Sequence, residues 1–222
     1  MKQGIVIVGD RDTIDYYIRL CEVLGMKAYD CHACERCGIG DYQGLVVAGE
    51  GDLEPCDLEC TEWELLASYL KQDKPVLGIC KGMQMINRML GGTMDAHLST
   101  AGLHRSEAVY ARNSRRIHYH SDNDDSTDTN RKYTDQRHMT IALKDSFMEK
   151  LYGIRFPVNS AHRQGLGQLG KGLEAIQFAE DRVVEGIQHR SLPILGVQWH
   201  PERMEHGERL VNYWIRGFSK LV

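Results

Sequence analysis

The sequence predicts an α/β fold: an open, mainly parallel sheet with helices on both faces, plus a small antiparallel portion. Three observations carry this reading. Short apolar runs at residues 5–8, 45–48, 76–79 and 194–198 have the length and composition of buried parallel strands. Most of them alternate with stretches of helical period, which argues for a sheet covered on both faces. Residues 173–179 and 183–188 are two further apolar runs joined only by Glu180-Asp181-Arg182, and they read as an antiparallel pair.

The elements follow in order. Residues 5–8 form the first strand, and Gly9-Asp10 turns the chain into a helix. Its apolar positions are Ile14, Ile18, Leu20, Cys21 and Leu24, and Gly25 closes it as a C-terminal cap. Residues 26–29 are a short second strand and 45–48 a third, followed by Gly49-Glu50-Gly51-Asp52. Thr61 and Glu64 have the spacing of a capping box opening a helix to about Gln72. The strand 76–79 comes next, then a helix over 83–90 that stops at Gly91-Gly92. From 104 to 137 the chain is polar and without period, basic first and acidic later, and reads as a long surface loop with a hairpin near 108–119. A strand at 139–143, a short helix at 146–152, the antiparallel pair, a last strand at 194–198 and a helix from about 204 to 220 complete one domain spanning 1–222.

Composition narrows the class. With 222 residues, 42% hydrophobic and 26% charged, the chain has enough apolar material for one sizeable core. A formal net charge of -4 argues against general nucleic-acid binding. No run reaches the 18 or so continuous apolar residues that cross a membrane. The apolar run after Met1-Lys2 is too short for a signal-peptide core. Seven cysteines, an odd number, in a domain of this size are expected of a reducing cytoplasm.

The chain is organised around Gly78-Ile79-Cys80-Lys81-Gly82-Met83-Gln84. An apolar strand meets a helix at a sharp turn with a thiol at its apex. The spacing Gly-x-Cys-x-Gly is that of a nucleophile elbow with sulfur in place of oxygen. The flanking positions must be small because the turn is tight. A thiol at a helix N-terminus also feels the positive end of the helix dipole. The motif alone also admits a buried structural cysteine, so a base is needed to decide. His200-Pro201-Glu202 supplies one, directly after another apolar strand. Strand carboxyl ends of an open parallel sheet share one crevice, so both motifs belong on the same edge. His200 can take the thiol proton, and Glu202, two residues on along an extended segment, can orient the imidazole. By itself the tripeptide would pass for a surface turn.

Together, Gly78 to Gln84 and Gly196-Val197-Gln198-Trp199-His200-Pro201-Glu202 resemble the class I glutamine amidotransferase superfamily. Nearly the whole chain follows that order of elements, a flavodoxin-like arrangement. The resemblance implies a Cys80, His200, Glu202 triad that attacks a γ-glutamyl amide, forms a γ-glutamyl thioester and releases glutamate with water. It implies backbone N–H groups of Lys81 and Gly49 as the oxyanion hole, and Gln84, one helical turn past Cys80, as a holder of the glutamyl head. The chain has Glu50 where the family more often has Gly or Pro. Asn159-Ser160-Ala161-His162-Arg163-Gln164-Gly165 is similar to the Asn-Ser-x-His-x-Gln signature of γ-glutamyl hydrolases, γ-glutamyl-γ-aminobutyrate hydrolase among them. On that basis His162, Arg163 and Gln164 are expected to recognise the glutamyl α-carboxylate and α-amine; Arg163 stands where His is often found.

The expectation is therefore a cysteine-dependent hydrolase of a small-molecule γ-glutamyl amide, with no metal and no organic cofactor. Neither nucleic acid nor a membrane is expected as a partner; a homodimer or a synthetase partner stays open. The competing readings are a glutaminase subunit delivering ammonia to a separate synthetase, and a hydrolase of a γ-glutamyl nucleotide phosphoramidate used in capsule synthesis. A non-catalytic binding protein on the same scaffold is a third. Cys31, Cys34 and Cys37, with Cys56 and Cys60, lack a clean second Cys-x-x-Cys pair and read as loop thiols rather than a zinc site. Asp122 to Asp128 lacks the glycine and terminal glutamate of a calcium loop. His118, Tyr119 and His120 read as exposed loop residues, and Met83, Met85 and Met89 as core.

Overall fold

A computed structural model describes residues 2–9, 11–31, 42–49, 52–55, 57, 60–95, 98 and 136–219. The first half runs β1 (Lys2–Val8), α1 (Arg11–Val23), β2 (Ala28–Asp30), β3 (Tyr42–Gly49), α2 (Thr61–Lys71), β4 (Val76–Cys80), α3 (Lys81–Met89) and β5 (Met94–Asp95). The second half runs β6 (Gln136–Ala142), α4 (Phe147–Tyr152), β7 (Arg155–Ser160), β8 (Gly165–Leu166), β9 (Leu173–Ala179), β10 (Val184–His189) and β11 (Ile194–Val197). A 3₁₀ turn (Pro201–Arg203) and α5 (Glu208–Ser219) follow.

Nine strands form one sheet in the order β2-β1-β3-β4-β11-β10-β9-β6-β7, and β5 pairs with β8 beside it. From β2 to β11 every pairing is parallel. From β11 to β7 every pairing is antiparallel. The mixed α/β architecture is the expected one, but its antiparallel part is larger than a small portion. β7 hides in the sequence because Pro157 interrupts it. Among the described residues β7 is an edge strand with no strand partner on one side, and there the missing N–H is tolerated.

Both faces of the parallel half are buried, as strand periodicity requires. Ile5 and Ile7 of β1 face one way, packing with Ile14, Tyr17 and Cys21 of α1 and with Leu210, Val211 and Trp214 of α5. Val6 and Val8 face the other way, with Leu65, Leu66 and Tyr69 of α2 and Met83 and Ile86 of α3. Each such Ile or Leu side chain contributes roughly 1.5–3 kcal/mol on burial. Met83 and Met85 are core, and Met89 packs partly buried against it.

Helix ends follow local chemistry, with one correction. Gly25 sits at φ +77 after α1, as a terminating glycine does. Ser146 caps α4 by accepting from the Glu149 N–H. The expected Thr61 cap is overturned: the chain enters α2 one residue earlier, Cys60 is the N-cap, and its side chain makes no capping bond. Thr61 is thereby the first helical residue, so its hydroxyl is not in the capping position.

Almost all of the polar stretch 104–137 lies outside the described residues, apart from Gln136 and Arg137 at the start of β6. So do the hairpin near 108–119, His118, Tyr119, His120, the acidic run 122–128 and Cys34, Cys37 and Cys56. Among the described residues, no three His, Cys, Asp or Glu side chains are placed to hold a metal ion. No described helix is long and apolar enough to cross a membrane.

Candidate active site

Cys80 is the last residue of β4 and the N-cap of α3, with φ +50 and ψ -106. A positive φ on a side chain with Cβ costs on the order of 1–3 kcal/mol, so the surrounding packing has to enforce it. The neighbours show how. A Cβ on Gly82 would lie 1.9 Å from the Val47 carbonyl oxygen, and one on Gly78 would lie 2.6 to 2.7 Å from Ile86, Gly82 and Met83. Helix α3 can therefore fold back tightly onto β3 and β4 only with glycine at both places. Its first N–H groups, Lys81 among them, have no acceptor within the helix.

His200 reaches the same edge through strand register. Val197 pairs with Ile79, so β4 and β11 end level and in parallel. His200 Nδ1 donates to Glu202 Oε1 at 2.6 Å. Glu202 lies on the 3₁₀ turn rather than on an extended segment, a difference from the expected geometry. Its second oxygen accepts from the Tyr17 hydroxyl at 2.9 Å. Burial alone would lower the His200 pKa. The charge of Glu202 first, then that of Cys80, and the hydrogen bond to Glu202 outweigh it and hold the imidazole well above its ordinary range. Burial would raise the Glu202 pKa, but His200, the residue's own N–H and Tyr17 bring it below the usual carboxylate value. With Nδ1 committed to Glu202, buried Nε2 is the ring nitrogen left without a hydrogen-bond partner among the described residues.

Three supporting residues were not singled out from sequence. Asn159 clamps the His200 backbone from both sides: its Nδ2 donates to the His200 carbonyl at 2.9 Å, and its Oδ1 accepts from the His200 N–H at 2.8 Å. The Asn-Ser-x-His-x-Gln motif contained it, but only the tertiary pairing gives it that task. Gln198, fully buried, donates to Cys80 Sγ at 3.4 Å and accepts from Gln84 Nε2 at 3.2 Å. A Gln two residues before the His was the available signal. Tyr17, on α1, carried no signal beyond its place on the apolar face of that helix.

Gln84 is fully buried beside this cluster, and its Oε1 has no hydrogen-bond partner among the described residues. Gly49 ends β3 directly opposite Cys80 in the ladder. A Cβ there would meet Lys81 at 3.4 Å, an ordinary contact, so the protein's own packing does not demand glycine. The residues expected to grip the glutamyl head each have a partner within the protein. His162 donates from Nδ1 to the Gln164 carbonyl at 3.0 Å, and its Nε2 lies 3.4 Å from buried Glu185. Arg163 pairs with Asp52. Gln164 Oε1 accepts from the Leu53 N–H at 2.7 Å, and Lys81 Nζ lies 3.2 Å from Asp57. These contacts stitch the chain after β3 to the loop after β7 and to the elbow. The reason is local: Asp52 and the Leu53 backbone face the loop, and polar groups at that depth must be satisfied.

Known proteins resemble this chain in sequence and in fold. The sequence model of a family described as Peptidase C26 matches residues 50–202. A presumed glutamine amidotransferase of Schizosaccharomyces pombe is 31% identical over 71% of this chain and 56% of its own length. Protein NtpR of Enterococcus hirae is 33% identical over 74% of this chain and 68% of its own. The chain thus spans little more than half of the first relative. The glutamine-hydrolysing GMP synthase subunit of Haloarcula marismortui is 26% identical over 79% of this chain and 73% of its own. The solved structure of a presumed GMP synthase subunit from Thermoplasma acidophilum superposes with a TM-score of 0.64. It is 17% identical, covers 99% of both chains and speaks to the fold alone.

Proposed function

The chain belongs to the Peptidase C26 family of glutamine amidotransferase-like proteins, and from that premise we propose that it hydrolyses a small-molecule γ-glutamyl amide through a thioester on Cys80. Membership is consistent with cysteine-dependent amide hydrolysis; the γ-glutamyl substrate and the residue roles are the proposal. The observation that carries it is the strained Cys80 elbow lying level with a buried His200–Glu202 pair.

The steps follow from the geometry. His200 accepts the Cys80 thiol proton, and Glu202 keeps the imidazole oriented and charge-balanced. The sulfur attacks the amide carbon, and the oxyanion develops near the N-terminus of α3, where the Lys81 N–H and the adjoining backbone of Gly49 can receive it. His200 then passes its proton to the leaving amine. Water, deprotonated by the same imidazole, attacks the thioester carbonyl and releases glutamate and the thiol. Gln84 offers its unpartnered carbonyl oxygen to the α-ammonium of the glutamyl head. His162, Arg163 and Gln164 shape that pocket through the loop they fasten. No metal or organic cofactor takes part in these steps.

The test is glutamate release by the purified chain across a panel of γ-glutamyl amines, glutamine and γ-glutamyl phosphoramidates. Turnover of one class by the chain alone, lost by about 10⁴-fold or more in Cys80→Ala, is expected. Activity surviving in Cys80→Ala overturns the mechanism. A second reading, a glutaminase subunit that passes ammonia to a synthetase, is favoured by the relatives that are glutamine-hydrolysing subunits of GMP synthase. It requires turnover of glutamine that rises sharply when the partner synthetase is added.

A further inference from the structure

Tyr17 lies outside the residues matched by the family model, yet its hydroxyl is bonded to the carboxylate that orients His200. We propose that Tyr17 is a positioning residue for the triad, fixing Glu202 so that one oxygen is always delivered to His200 Nδ1.

A carboxylate on a short turn can rotate and present either oxygen. Here the two oxygens are differentiated: Oε1 meets His200 at 2.6 Å and Oε2 meets Tyr17 at 2.9 Å. The phenol is held still for the purpose. It is fully buried on the α1 face that also carries Ile14 and Cys21, and its ring stands edge-on to Tyr16 at 5.2 Å between centroids. Other groups facing Glu202 do not fill the role. Arg203 Nε is 4.0 Å from Oε1, beyond a hydrogen bond, and sits on the same short turn. Burial first, then the charges of Glu202 and Glu208, push the Tyr16 phenol up to about 12, so it carries no charge with which to hold Glu202. The charge of Cys80 acts on the imidazole rather than on Glu202. Burial first, then the charge of Glu202, push the Tyr17 phenol well up, so it stays a donor across the working range. The N-terminal β1–α1 unit thereby contributes to chemistry carried otherwise by residues from Gly49 onward.

The inference rests on the triad reading, so the test uses a signal that needs no substrate. The short His200 Nδ1–Glu202 bond should give a far-downfield proton resonance that Glu202→Gln abolishes. In Tyr17→Phe that resonance should broaden or move upfield. In a working hydrolase, kcat should fall about tenfold with KM unchanged, the size of one hydrogen bond to a charged group. The acid limb of its pH profile should move to higher pH as Glu202 loses a donor. Tyr16→Phe should leave the resonance in place. An unchanged resonance in Tyr17→Phe, with the wild-type unfolding midpoint retained, overturns the proposal and leaves the hydrolase reading intact. An equal change in Tyr16→Phe overturns it as well. Absence of the resonance in the wild type overturns the His200–Glu202 premise itself.

Discussion

The two halves of the sheet divide the labour. The parallel half, β2 to β11, presents the reactive groups: Cys80 at the end of β4, Gly49 beside it, and His200 just past β11. The antiparallel half, β10 to β7, presents none of the proposed reactive groups and holds theirs in place. Asn159, at the end of β7, grips the His200 backbone. Trp199 donates to Gln177 of β9, and Gln177 to Thr140 of β6. Glu185 of β10 lies 3.2 Å from His138 and 3.4 Å from His162. Parallel strands end together at one edge and so gather reactive side chains from distant sequence. Antiparallel strands run back toward that edge and can bond the gathered segment from the side.

The comparison breaks first where chemistry and support separate. Glu202→Gln keeps shape and removes charge. It should lower glutamate release roughly 10²- to 10⁴-fold while the thermal midpoint moves little, as when an orienting acid is neutralised. A matching collapse in stability would show that the parallel half is support as well. Glu185→Gln should behave in the opposite way, costing about 3–5 kcal/mol of folding stability because it strips the charge from a buried cluster. Burial would raise the Glu185 pKa, but His138 and His162 outweigh it and bring the carboxyl from 4.5 down to about 2. A depressed carboxyl pKa gives stability that is present above pH 4.5 and lost as pH falls toward 2. Denaturant unfolding across that window should show a wild-type slope that Glu185→Gln lacks; parallel curves would remove Glu185 from the account.

A finer contrast lies within the parallel half. Gly82→Ala forces a Cβ against the Val47 carbonyl and should cost about 1–3 kcal/mol or more, measured by chemical denaturation. Gly49→Ala meets only the flexible Lys81 side chain and should change stability by less than about 0.5 kcal/mol. A loss of activity in Gly49→Ala at full stability would locate its importance in the space it leaves for a substrate.

Legibility followed the range of the interactions. Strands β1, β3, β4 and β11 were readable because burial on both faces writes continuous apolar runs. Cys80 was readable because the elbow demands small residues at fixed offsets, Gly78 and Gly82. β7 was not, since an edge strand tolerates Pro157 and polar residues. Tyr17 was not either, because a phenol on an apolar helix face looks the same whether it fills space or bonds a carboxylate. His162, Arg163 and Gln164 were visible as a motif, but their partners Glu185, Asp52 and Leu53 lie 23, 111 and 111 positions away.

By itself, then, the sequence determined the α/β class, the elbow and a His-Pro-Glu segment directly after a strand, since each rests on local periodicity or on residues within a few positions of one another. Only the tertiary structure decided which groups support the site: Tyr17 on Glu202, Asn159 on the His200 backbone, Gln198 on the sulfur, Glu185 between two histidines. Those choices depend on the strand order and the level ends of β4 and β11, which set what faces a buried polar atom once water has been removed from it.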